Sequence, residues 1–157
     1  MGTAISRRAL SLAAVGMVMG GAAMAAIGCL LPWISEVYKV DVEAPTVTHD
    51  IFSSASSAAL PGADGNVITA LALVSVVLSL LIWLRRMARV AALIALLLAT
   101  VAAVTVVGDY LDISGSIKTL GSTYFLIFQV GAGIYVTALG VIIWTIGGGT
   151  ALLDRRR

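Results

Sequence analysis

"VITALALVSVVLSLLIWLRRMARVAALIALLLATVAAVTVV", residues 67 to 107, decides the fold. Two long apolar runs flank the five-residue joint "RRMAR" at 85–89, and neither run holds an ionisable side chain. A bilayer core takes about 20 apolar residues per helix, and a charge at a helix centre costs about 2.5–3.5 kcal/mol. Residues 67–84 and 90–107 therefore read as two membrane spans. So short a joint makes them antiparallel neighbours.

Working outward, two more runs without Asp, Glu, Lys, Arg or His appear at 9–31, "ALSLAAVGMVMGGAAMAAIGCLL", and at 124–146, "YFLIFQVGAGIYVTALGVIIWTI". The composition agrees. Of 157 residues, 60% are hydrophobic and 11% charged, with a mean hydropathy of +1.05, whereas soluble domains carry about 25% charged residues. The expected fold is an all-α membrane protein: one domain over 1–157, a bundle of four transmembrane helices. The segments 33–66 and 108–123 are expected to be outer loops.

Charge sets the expected orientation. All eight arginines fall before the first run, in the 85–89 joint or at 155–157, with Asp154 as the one acid among them. The other side holds Lys39, Lys118 and seven acids: Glu36, Asp41, Glu43, Asp50, Asp64, Asp109 and Asp112. The positive-inside rule then puts both termini in the cytoplasm. The basic pI is an orientation signal and an opportunity to touch anionic lipid head groups, so no nucleic-acid partner is expected.

Local signals refine this picture. "MGTAIS" fits a short myristoylation pattern, "SRRAL" a twin-arginine signal and "AIGC" a lipoprotein box. The first run is longer than the apolar core of a signal peptide, and it reads as a retained helix. Cys29, the single cysteine, then packs near its outer end. One cysteine excludes an internal disulfide and a multi-cysteine metal site. No cofactor or metal is expected.

Lipid gives helices no hydrophobic drive to associate, so small residues mark their contacts. Gly16 and Gly20 in the first run, with Gly131, Gly133 and Gly140 in the fourth, are the candidate packing positions. Their contact is expected inside the bundle, with an intersubunit contact as the alternative. Trp33, Trp83 and Trp144 fall near the run ends, where indoles anchor at the membrane interface.

In the first outer loop, "VYKVDVE" (37–43) alternates apolar and charged residues, "AP" breaks the run, and "TVTHDIF" (46–52) resumes it. A short β-hairpin-like strand–turn–strand over the helix ends is expected. Its candidate partner contacts are Trp33, Tyr38, Asp41, Glu43, His49 and Asp50. The acids lack the spacing of a calcium loop. His49 and Asp50 would fall on opposite faces of a strand, so no catalytic residue is assigned.

"LPW" at 31–33, "DG" at 64–65, "RRMAR" at 85–89 and "GAGIY" at 131–135 together resemble a loose group of four-span membrane proteins of actinobacteria and their relatives. The resemblance covers most of the chain in short motifs. It implies this topology and a bacterial cell membrane, with no reaction attached. The layout is also similar to claudin-type four-span proteins, without their paired cysteines. The functional expectation is a non-enzymatic accessory protein, partnered by lipids and by another membrane protein or itself. No small-molecule substrate is inferred. The alternative is a small pore former or homo-oligomer, of channel or phage holin type.

Overall fold

The structure, a computed structural model, describes residues 2–38, 47–50, 65–84, 87–120 and 126–153. Four helices dominate: α1 (Gly2–Cys29), α2 (Gly65–Trp83), α3 (Ala88–Leu120) and α4 (Ala132–Leu153). All four are long and apolar enough to cross a membrane. Three strands accompany them: β1 (Pro32–Tyr38), β2 (Val47–Asp50) and β3 (Leu126–Val130).

The helices pack in a ring, α1 against α2, α2 against α3, α3 against α4 and α4 against α1. The α1–α4 contact is the most extensive. It is antiparallel: Gly28 meets Thr137, Gly21 meets Gly140 and Trp144, and Val18 meets Gly147. The start of α1 and the end of α4 thus share one end of the bundle, the arginine end. The strands lie at the other, the sheet end.

Burial is inverted relative to a soluble bundle. The outward faces of α2, α3 and α4 carry large apolar side chains such as Leu73, Val77, Leu93, Leu97, Leu139 and Ile142. The interior is built largely from small ones, with Trp144, Ile68 and Ile134 as large exceptions. Every buried position described on α3 from Ala88 to Ala102 is alanine. Lipid solvates the large side chains, and close backbone approach supplies the cohesion.

Three boundaries correct the sequence reading. First, α3 continues to Leu120, so most of the 108–123 segment is helix and not loop. Its 33 residues rise about 50 Å, against a hydrocarbon core of about 30 Å. The helical part of the segment contains no proline, and its glycines, Gly108 and Gly115, only weaken a helix without ending it. Second, α4 starts at Ala132, because Leu126–Val130 is a strand. A continuous apolar run does not distinguish a buried strand from a helix by periodicity. Third, β1 begins directly at Pro32, upstream of the expected alternation. Residues 39–46, which carry most of that alternation, lie outside the described residues.

The sheet order is β2–β1–β3, and both pairings are antiparallel. β3 ties the second loop to the first, with Ile34 opposite Val130 and Tyr38 opposite Leu126. The β1–β2 register shifts between Pro32 and Ile34. That irregularity inserts Trp33 as an extra residue, the usual way a strand re-aims one side chain.

The α2–α3 joint turns through Met87, whose φ of 52° is left-handed.

Candidate functional site

The packing glycines divide into two sets. A Cβ at Gly140 would collide with the backbone of α1, one at Gly133 with the Trp33 ring and the Leu31 and Gly28 carbonyls, and one at Gly131 with the backbone of β1. All three are in close contact. On α1, the tight positions are Gly21 and Gly28, against the backbones of Trp144 and Thr137. Gly16 and Gly20 make no such contact. Both are exposed, and a Cβ added at either would meet nothing. This corrects the expectation that they form the internal seam. Gly20 and Gly21 are neighbours, 100° apart around a helix of 3.6 residues per turn, and only the position of α4 decides which one is inside.

Gly16 and Gly20 instead lie on an open face with Ala13 and Ala23, both also exposed. The other exposed positions on this side of the helix are Leu12, Met19, Ile27 and Leu30. The outward faces of the other three helices are large and branched at the corresponding depth. A flat strip of small residues lowers the steric cost of bringing a second helix close.

The tryptophans also divide. Trp83 is 58% exposed at the end of α2, in keeping with an interfacial anchor. Trp33 is 2% and Trp144 0% exposed, which removes both from the anchor role. Trp33 Nε1 donates to the Gly28 carbonyl at 3.0 Å, and its own carbonyl accepts from Gly131 N–H at 2.8 Å. It locks β1 to the end of α1 and to the start of α4. Trp144 belongs to the bundle centre because α4 runs on to Leu153, nine positions beyond it.

Burial also corrects Trp33 as a partner contact. Tyr38 is the last residue of β1, while His49 and Asp50 stand opposite Ile34 and Pro32 in β2. Asp41 and Glu43 lie outside the described residues.

A polar group that the sequence reading missed lies at the sheet end. Cys29 of α1 sits beside Thr137 of α4 and Thr69 of α2, with Asp109 of α3 near enough to act on it electrostatically. Thr137 Oγ1 donates to the Gly133 carbonyl at 2.9 Å. Asp109 was assigned to a loop, but it sits on the helical stretch 88–115 and is half-buried. Each helix thus contributes one polar side chain to this cluster. The opposite end is different: among the described residues, Ala14, Val15, Ile82, Ala88, Ala91, Ala92 and Ala151 form an apolar cluster. Among the described residues, no group of three or more His, Cys, Asp or Glu is placed to hold a metal ion.

No protein-family model matches this sequence, and no curated protein matches it.

Proposed function

We propose that this chain is a non-enzymatic integral membrane protein of a bacterial cell membrane. It docks against a second membrane protein through the open face of α1. The observation that supports this reading is the outward strip Ala13, Gly16, Gly20 and Ala23. Small residues facing lipid forgo van der Waals contact with it, whereas another helix can fill the strip at close range. The arginine distribution supports a cytoplasmic side for the start of α1 and the end of α4. The sheet, which carries Tyr38, His49 and Asp50 on its strands, then faces outward as a second, polar contact.

The test is affinity capture of the full chain from native membranes in mild detergent, comparing wild type with a Gly16→Ile, Gly20→Ile double variant. A stoichiometric membrane protein is expected with the wild type and is lost in the variant. Recovery of the same material with both, or a lone monomer in every detergent, overturns the reading.

A homo-oligomeric pore is the second reading, and the same strip favours it if the docked partner is another copy. Among the described residues, the arginine end of the bundle is closed by an apolar cluster. A pore would therefore form between copies. Solute flux through liposomes carrying the purified protein distinguishes the two.

A further inference from the structure

The α1–α4 seam runs into the most positive part of the chain. Gly140 of α4 meets Ala25 and Gly21 of α1, and Gly147, seven positions on, meets Val18 and Ala14, each seven positions back. The two helices thus keep one antiparallel register. Six positions further, Leu153 comes to the level between Arg8 and Leu12. Arg7 and Arg8 are carried on α1 itself. Arg155, Arg156 and Arg157 follow Leu153 by two to four residues, at most about 15 Å of chain.

The start of α3 joins the same end. A Cβ at Gly148 would touch Leu96 of α3. Arg89 lies seven positions before Leu96, about 10.5 Å nearer the start of the helix, and is exposed. Its neighbour Ala88 shares an apolar cluster with Ala14 of α1 and Ala151 of α4. Asp154 is the one acid in these segments, and neither α1 nor α3 has an acid in its first turn. Like charges gathered on tightly packed helix ends repel, and the glycine contacts of the seam leave those ends little room to separate. An anion between them removes the repulsion. The depth suits a lipid head group: the apolar span of α1 begins at Leu12, four positions or about 6 Å from Arg8.

We propose that the arginine end binds anionic phospholipid of its own leaflet, whose phosphates bridge the ends of α1, α3 and α4 and hold the bundle closed. Arginine pairs readily with phosphate oxygens, and each basic residue near an anionic surface strengthens binding about fivefold. The same side chains then weaken the bundle in neutral lipid and strengthen it in anionic lipid. This lipid contact is separate from the open strip of α1 and needs no partner there.

The test reconstitutes the full chain in small vesicles of phosphatidylcholine, or of an equimolar mixture with phosphatidylglycerol. The readout is the temperature at which half of the helical circular dichroism is lost. The wild type should melt higher in the anionic lipid. An Arg155→Gln, Arg156→Gln, Arg157→Gln triple variant should lose most of that shift, and in phosphatidylcholine alone it should melt no lower than the wild type. An Arg7→Gln, Arg8→Gln double variant should behave alike, and it carries the test if the first does not fold. Sodium chloride should shrink the wild-type shift. A shift that is absent in the wild type, or equal in wild type and variants, overturns the proposal. Variants that melt lower than the wild type in phosphatidylcholine also overturn it, because the arginines would then stabilise the bundle without anionic lipid. So does inorganic phosphate that reproduces the shift in phosphatidylcholine vesicles at matched ionic strength, because the bound group would then be a free anion.

Discussion

The two faces of α1 carry nearly the same residues and serve different ends. One face presents Gly21, Gly28, Ala14, Ala22 and Ala25 to α4 and the core. The other presents Ala13, Gly16, Gly20 and Ala23 to whatever lies outside the bundle. Composition does not separate them. The difference lies in the backbone of a partner helix, close enough on one face that a methyl group would not fit. Small residues in a membrane helix therefore mark capacity for contact, and the fold decides which capacity is used internally.

Substitution can break this comparison or sharpen it. The largest effect is expected for Gly21→Val or Gly140→Val, each of which drives a branched side chain into the opposing helix backbone. Overpacking of this kind costs about 3 kcal/mol or more where backbone must move. It is read from the helical circular dichroism signal during denaturant titration in micelles. Gly28→Ala should be milder, about 1–3 kcal/mol, because a single methyl meets Thr137. Equal stability of Gly28→Ala and wild type would show that the seam relaxes freely.

Next comes Trp33→Phe, which loses the bond to the Gly28 carbonyl and should cost about 1 kcal/mol. Trp83→Phe, at an exposed site, should change stability by less than about 0.5 kcal/mol. The smallest effect has the opposite sign. Gly16→Ala, in open space, should raise the stability of the isolated chain by about 0.5–1 kcal/mol through helix propensity. A loss there would mean that the open face is already occupied in the micelle.

Much of the architecture was legible before any coordinates. Charge is costly inside a bilayer, so composition alone outlines four uncharged runs, and the structure has four long apolar helices. What escaped was whatever depends on a partner segment. Leu126–Val130 reads equally well as helix or strand, and only pairing with β1 makes it β3. Asp109 and Asp112 fall in the segment expected as a loop because the uncharged run ends at 107, yet α3 ends eight positions past Asp112. The polar cluster was invisible for a related reason. Cys29, Thr69, Asp109 and Thr137 are scattered along the chain, each unremarkable alone, and they meet only because four helices converge at the sheet end. The tryptophans were read by distance from the run ends, a measure that fails when a helix outlasts its apolar core, as at Trp144, or when a strand bulge turns the ring inward, as at Trp33.

The α1–α4 seam also fixes an order of events during synthesis. Ala25 and its hydrogen-bonding partner Thr137 are 112 positions apart. At about 5–20 residues per second, the first helix waits on the order of ten seconds in the membrane before the fourth emerges. During that interval both of its small-residue faces are open to neighbours. A passing helix that prefers the wrong face would be captured before the correct partner exists. Faithful assembly of this chain thus rests on the last helix displacing whatever the first has met in the meantime.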